Sequence, residues 1–482
     1  MGLRTAAEYM EGLRDGRTVY FHGRPVADVT GHPHLGVAAK HAALDFELAE
    51  DDRHQELFTW ADDRGSLHSR YYKRPESSGD LLNRREMIET STRCGRSVVL
   101  LVKEIGTDAL FALDLVTRVV DDKAGTAYND RVAAFHRHCR DLDLTLAVAQ
   151  TDVKGDRSLL PSQQAHPDYY VRIVEEGDDG IVVRGAKAHT TGTPVVDELI
   201  VLPTRAIGAE DSSYAVAFAV PVDTPGVKLL ASPFGAAEGD SSFHYPVSSR
   251  HRLVDTLTVF EDVFVPRERV FLQGEWQAAG FLANTFVEFH RFTAVSYKPP
   301  LCDLFIGAAA LLAEYNGIEK AGHVREKLTQ LIAWTETVRG LSRAAAHDCR
   351  ITDSGLAVPE VVLTNLAKFH FAARYHDAIR WVQDIAGGLV VTGPSEQDMD
   401  SHETRPYIDR FLGGGNGAEA SDRLKAMNLV RDLTASDFGG YNQFLAIHAE
   451  GSLEAQKITI HRDYDIDRCK SLAAEAIGVD RG

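Results

Sequence analysis

GAKAHTTGTPVVDELIVLPT, Gly185–Thr204, is the stretch whose reading decides the fold. Gly and Thr surround a lysine and a histidine, then give way to a β-branched, apolar run. Upstream lies a second stretch of the same texture, AQTDVKGDRS, Ala149–Ser158. Glycine lets a backbone come close to a ligand, hydroxyls and backbone N–H groups donate hydrogen bonds, and strands hold such loops rigid. Both stretches therefore read as loops of a ligand site carried on a sheet.

Around them the texture is that of a β region. Tyr169–Val174, Ile181–Arg184, Glu198–Leu202, Tyr214–Val220, Val227–Ala231 and Leu257–Phe260 are short β-branched or aromatic runs separated by turns. They predict a small barrel or sandwich between about residues 146 and 272. The segments on either side read as helix. Leu81–Thr92, Asp108–Val120 and Asn129–Leu142 place apolar residues at three- and four-residue steps, the last with His136 and His138 on its surface. Thr18–Val29 alternates around a glycine and reads as a hairpin. After residue 273, Pro299 and Pro300 predict the start of a helix over Leu301–Tyr315. His323–Arg339, Val358–Gln383 and Arg423–Leu433 are further helices, with a glycine break at Gly413–Gly417.

The bulk properties bound the function. The 482 residues, 44% hydrophobic, exceed what a single core holds. A formal net charge of −18 argues against nucleic acid or an anionic membrane as partner. The five cysteines (94, 139, 302, 349, 469) form no CxxC pair, which fits a reducing compartment and offers no structural metal knot. The N-terminus carries no apolar signal region and no run approaches a membrane span, so a cytoplasmic protein is expected.

Several blocks together carry a resemblance. RTAAEYMEGLRDGRTVYFHGRPVADVTGHP (Arg4–Pro33), TDVKGDRS, the opening stretch, FEDVFVPRERVF (Phe260–Phe271) and GSLEAQKITIHRDYD (Gly451–Asp465) are similar, in order, to the 4-hydroxyphenylacetate 3-hydroxylase / 4-hydroxybutyryl-CoA dehydratase family. The resemblance implies an acyl-CoA dehydrogenase-like α+β fold. Its parts would be a helical N-terminal domain (1–145), a central β-barrel domain carrying the flavin loops (146–272) and a C-terminal four-helix bundle with its tail (273–482). It also implies FAD and assembly as a homotetramer. One branch hydroxylates phenols through a C4a-hydroperoxide, using FADH2 from a separate flavin reductase. The other dehydrates or isomerises CoA thioesters, with FAD and a [4Fe–4S] cluster held by three cysteines and a histidine.

A cubane needs thiolates. Where the dehydratase branch carries two of its cysteines, LLVKEIGTDAL has Leu100 and Glu104; where the third should stand, EFHRFTAVSYKPP has Tyr297. Only the cluster histidine survives, as His290. The hydroxylase branch grips its phenol with an Arg, a Tyr and a His, and those positions fall here on Ile105, Ala109 and near Val148. The reading is a divergent member without a metal site that keeps the flavin site and has rebuilt its substrate pocket. It is expected to be an FADH2-dependent monooxygenase acting on an aromatic or other electron-rich small substrate with O2. A CoA-thioester dehydratase or isomerase and a non-catalytic flavin-binding paralogue are the alternatives.

Family position assigns the candidates. Gln150, Thr151 and Asp152 would meet the flavin ring edge, unless they form an ordinary capped turn. Lys187 would offset pyrophosphate charge, with His189, Thr190 and Thr191 beside it and the hydroxyls on the ring. Arg157 holds a phosphate or pairs with Asp156. Gln383, Gly387 and Gly388 form a turn that approaches the flavin of a neighbouring subunit, or simply a helix C-cap. His290, Arg291 and Tyr297, with Lys298 beside them, are the catalytic candidates, histidine being the usual proton carrier near neutral pH. Asp255, Tyr441, His448 and Glu450 are placed in the same cavity by family position.

Overall fold

The computed structural model describes residues 2–236 and 240–479. The chain folds in the order helix, sheet, helix. The strands form two large sheets and two short ladders, Thr59–Ala61 with Leu67–Ser69 and Arg350–Ile351 with Ala357–Val358. The larger has the spatial order Arg24–Val26, Val19–Phe21, Val227–Ala231, Asp255–Pro266, Gly180–Thr191, Arg172–Glu176. The smaller runs Val270–Gln273, Val216–Pro221, Glu198–Val201, Leu146–Ala149. The hairpin near the N-terminus is real, but it does not stay with the helices. Val19–Phe21 lies parallel to Val227–Ala231 and extends the larger sheet.

Two strands are longer than the apolar runs suggest. Ile181–Arg184 is the front of a 12-residue strand that continues through the polar segment to Thr191. It pairs with Asp255–Pro266, likewise 12 residues long, with register shifts between Thr256 and Thr258 and between Phe260 and Val263. Such bulges re-aim side chains. Here the result sets Asp255 opposite Thr191 and Thr256 opposite Thr190. The strand expected at Tyr169–Val174 starts later, at Arg172, because Pro167 opens a 3-10 turn that takes up Tyr169.

The longest C-terminal helices are Trp276–Tyr315, Gly322–His347, Val361–Ala386 and Ala420–Thr434, followed by shorter ones including Asp437–His448. The first corrects an expectation. Pro299 and Pro300 do not open a helix; they sit inside one of 40 residues. Each proline removes an i→i−4 hydrogen bond, which ordinarily breaks a helix. Packing overrides this locally, since every residue from Phe289 to Pro300 is buried. Gly387 has φ +84° and its N–H bonds the carbonyl of Gln383, so it ends its helix as a C-cap. His136 is half-buried rather than superficial, bonded at 2.9 Å to the carbonyl of Tyr72; His138 is exposed. Among the described residues no helix is long and apolar enough to cross a membrane.

Two cores result. One lies between the sheets and against helix Leu35–Glu50; the other fills the helical bundle. The candidate site lies where they meet.

Candidate active site

The two stretches singled out in the sequence are sewn together. Ala188 N–H bonds the carbonyl of Thr151 at 2.8 Å, and Asp152 forms an isolated antiparallel bridge with Lys187. Lys187 is the clamp. Its ammonium lies 2.8 Å from Asp152 Oδ1 and donates to the carbonyls of Gln150 and Leu202, both at 2.9 Å. Burial draws it below the ordinary lysine range while Asp152 pulls it back up. Asp152 is buried too, accepting from Val171 N–H and from Thr204. Lys187 and Asp152 are thus consumed in building the loop, and the geometry gives Lys187 no hand free for a phosphate.

Thr190 is similarly absorbed. Its hydroxyl donates to the Thr256 carbonyl at 2.9 Å and meets the Thr258 and Thr256 hydroxyls at 2.6 and 3.1 Å. That fills one donor and two acceptor sites. Thr191, one residue on and half-buried, faces Asp255 and Tyr441 instead. His189 is exposed at φ +57°. Arg157 is exposed and does not pair with Asp156, whose carboxylate accepts from Ser158. Its charge acts instead on Lys154, beside Arg205, making a basic corner on an acidic protein.

Across from this wall stands the bundle. His290 stacks on Phe286 and directs Nδ1 at Asp108 Oδ2, 3.3 Å away. Asp108 is in turn held by Arg84 at 2.7 Å and by Thr293. Arg291 does not face a ligand: it donates to the Glu450 carbonyl at 2.9 Å and to Asn365 at 2.7 Å, and burial lowers it to about 10. Glu450 is the hub. Its carboxylate accepts from the Tyr297 hydroxyl and lies 3.3 Å from both Lys298 and Lys368. Burial alone would push the acid up; Lys298, Lys368, His290 and Tyr297 together hold it at about 2. Burial drives Lys298 down to about 7 against the pull of Glu450. Tyr297 is pushed well up by burial and by the adjacent carboxylate.

Against the bundle wall lies a cleft, walled by Ser97–Val99, Leu253, Tyr297, Lys298, Leu301, Phe371 and the Phe438–Ala446 helix face. Tyr441 links the halves: it lines the cleft, stacks on Phe234 at 4.0 Å and leans toward Asp255. Asp255 Oδ1 and the Tyr441 hydroxyl are buried, yet neither completes a hydrogen bond of normal geometry. Buried polar atoms left open beside a cleft are what a polar ligand edge requires. Ser97, which lines the cleft, and Glu450, beside it, both have positive φ without being glycine.

The structure does not bring every candidate together. Gln383 bonds Thr434, and the exposed Gly387–Gly388 turn lies 19 residues beyond Lys368 on the same helix, about 28 Å along its axis. Within one chain it stands outside the cleft. His448 is exposed on a stack with Phe444. Lys368, Asp108 and the Ser97–Val99 wall were not foreseen. Lys368 had a signal, an ionisable residue on the apolar stripe of Thr364, Ala367, Phe371 and Tyr375.

The donor set does not fit an iron–sulfur cluster. Leu100 is buried in apolar surroundings, Glu104 accepts from Tyr71 and from the Lys103 N–H, and Tyr297 is bound to Glu450. A flavin ring fits better. Gln150 and Thr151 make no side-chain hydrogen bond of their own among the described residues, and Thr191, Asp255 and Tyr441 offer further partners.

Comparison with known proteins follows the same lines. The model for the 4-hydroxyphenylacetate 3-hydroxylase N-terminal region matches residues 5–272 and that for the C-terminal region matches residues 279–478. A 4-hydroxybutyryl-CoA dehydratase/vinylacetyl-CoA-Δ-isomerase of Clostridium aminobutyricum is 32% identical, over 99% of this chain and 100% of its own. The solved oxygen-tolerant archaeal 4-hydroxybutyryl-CoA dehydratase of N. maritimus superposes with a TM-score of 0.93 at 30% identity, covering 100% of this chain and 96% of its own. The oxygenase component of 4-hydroxyphenylacetate 3-monooxygenase, solved with FAD and 4-hydroxyphenylacetate, superposes with a TM-score of 0.90 at 28% identity, covering 98% and 99%. The fold is the acyl-CoA dehydrogenase-like α+β arrangement of both relatives, and the chain belongs to the 4-hydroxyphenylacetate 3-hydroxylase family.

Proposed function

We propose that this chain is the oxygenase of a two-component monooxygenase, binding FAD as FADH2 delivered by a separate flavin reductase and hydroxylating an aromatic or other electron-rich small molecule. The observation that carries this reading is the chemistry at positions 100, 104 and 297. A leucine, a hydrogen-bonded glutamate and a tyrosine in a buried polar network stand where a cluster would need thiolates, while the flavin-facing wall keeps its open polar atoms.

Reduced FAD, when bound, supplies the two electrons that activate dioxygen. Gln150, Thr151, Thr191, Asp255 and Tyr441 are the groups to hold its ring, and Arg157 with Lys154 its phosphates. The protein's own contribution is a dry cleft and a managed proton. Val98, Val99, Leu253, Phe371 and Phe438 exclude water, which protects reactive oxygen species from premature loss. His290, with Nδ1 fixed by Asp108, holds or releases the exchangeable proton at Nε2. In a homotetramer, the Gly387–Gly388 turn would reach a neighbour's flavin. A cytoplasmic setting suits a reductase partner.

The test is product analysis with reduced FAD and isotopically labelled dioxygen over a set of phenols. A hydroxylated product carrying one labelled oxygen supports the reading; consumption of reduced FAD with only hydrogen peroxide formed, over the whole set, contradicts it. The dehydratase relatives favour a second reading, a CoA-thioester isomerase that works without the cluster. Turnover of 4-hydroxybutyryl-CoA or vinylacetyl-CoA by the flavin-loaded protein would establish that instead.

A further inference from the structure

In the first domain, helix Ser78–Cys94 and the turn Arg70–Tyr72 close a second, small pocket that shares no wall residue with the cleft. Its walls are Arg70, Lys73, Pro75, Asp80, Asn83 and Arg84, three cations against one carboxylate. Lys73 is paired with Asp80, which also accepts from the Glu76 N–H at 3.0 Å and the Ser77 hydroxyl at 2.8 Å. Arg84 is 6% exposed and paired with Asp108 at 2.7 Å. Arg70 differs, since it forms no ion pair among the described residues. Its Nε donates to the Leu57 carbonyl at 2.8 Å and its Nη2 to the carbonyls of Glu56 and Thr59, both at 2.6 Å. Carbonyls orient a guanidinium but leave its charge uncancelled. Burial draws Arg70 down, and Asp80 and Glu56 pull it back only from longer range.

Donors are left over on the same walls. A guanidinium carries five N–H groups and an ammonium three. Among the described residues Arg70 Nη1 and Arg84 Nε bond nothing, and Arg84 Nη1 reaches only the Tyr71 carbonyl, at 3.4 Å. Lys73 has spent one donor, on Asp80, and the exposed Asn83 amide makes no hydrogen bond among the described residues. We propose that this pocket binds a small, singly charged anion of the size of chloride or formate, held between Arg70, Lys73 and Arg84. The one uncancelled guanidinium sets the charge, and the short wall sets the size. The anion supplies the counter-charge that Arg70 lacks, which offsets the cost of keeping that cation half-buried. Arg84 belongs both to this pocket and to the pair that fixes His290 through Asp108, so the site borders the acid–base group without entering the cleft. It is independent of the flavin and of the reaction assigned to the cleft.

Two measurements on the FAD-loaded protein test it. Isothermal titration with sodium chloride and with sodium formate is run at fixed ionic strength in gluconate, an anion too bulky for the pocket. At least one of the two salts should bind saturably. Lys73→Met should weaken that binding about tenfold or more, the worth of one charge-assisted hydrogen bond, and Lys73→Arg should keep most of it. Lys73 is half-buried with Asp80 as its one partner, so the Met variant is expected to fold, and circular dichroism checks this. Crystals grown in sodium bromide give the second measurement, and an anomalous peak between Arg70, Lys73 and Arg84 is expected. No saturable binding of either anion overturns the proposal, as does an affinity that Lys73→Met leaves unchanged. Bromide found only at other positions, an adventitious ion only, overturns it too. Should Lys73→Met not fold, the bromide position alone decides.

Discussion

Glu450→Gln is the most informative single perturbation of the bundle wall. The substitution keeps volume and an acceptor for Tyr297 but removes the carboxylate that Lys298 and Lys368 share. Breaking a buried ion pair from one side leaves an uncompensated charge and costs about 3–5 kcal/mol. With an unfolding entropy of about 2.1 cal/mol/K per residue, a 482-residue chain carries about 1 kcal/mol/K. The expected fall in Tm is therefore about 3–5 °C at neutral pH. The loss should also depend on pH. Orphaned lysines in the folded protein shed their protons below the ordinary value, whereas in the unfolded chain they stay charged to about 10.5. The unfolded state then binds more protons, so the variant regains stability as pH rises from 7 toward 10. Scanning calorimetry of wild type and variant between pH 6 and 10 measures both effects. A fall under about 1 °C, or a deficit that does not change with pH, would refute the hub assignment.

Four further outcomes are expected. Because Lys298 is depressed to about 7 in the folded chain, wild-type stability should rise between pH 7 and about 10.5, and Lys298→Met should flatten that rise in urea titrations. Asp108→Asn no longer fixes the His290 proton and also weakens the buried pair with Arg84, so its fold is checked by circular dichroism; in the folded variant kcat should drop by about 10² or more with a changed pH profile, and an unchanged profile would argue that Asp108 only packs. Gly106→Ala places a Cβ 2.1 Å from Leu146 Cβ and should cost at least about 1–3 kcal/mol, whereas Gly340→Ala, with nothing within 4 Å, should gain about 0.5–1 kcal/mol by chemical denaturation. Iron and acid-labile sulfide in anaerobically purified protein should be far below stoichiometric; four of each per chain would overturn the ligand argument.

The order of helix, sheet and helix was legible because amphipathic period and β-branched runs report local structure directly. Pro299 and Pro300 misled because their rule is local, while burial on all sides of helix Trp276–Tyr315 is not. Long-range pairing was invisible for the same reason: nothing in Val19–Phe21 says that its partner lies at Val227–Ala231. At the site, family position placed the right segments, but residue type alone could not say which side chains the fold consumes. Lys187 and Thr190 look like ligands in sequence and are spent holding loop and strand together. Glu450, distant in sequence from Lys298 and Lys368, turned out to organise both. Tyr297, read first as an absence, is part of that network.

A crystal structure of the FAD-loaded protein tests the central claim most directly. The isoalloxazine ring is predicted to place its polar edge within hydrogen-bond reach of Gln150, Thr151, Thr191, Asp255 and Tyr441, with one face open to the cleft bounded by Tyr297 and Lys298. A ring bound elsewhere, or iron–sulfur density at His290, would contradict it.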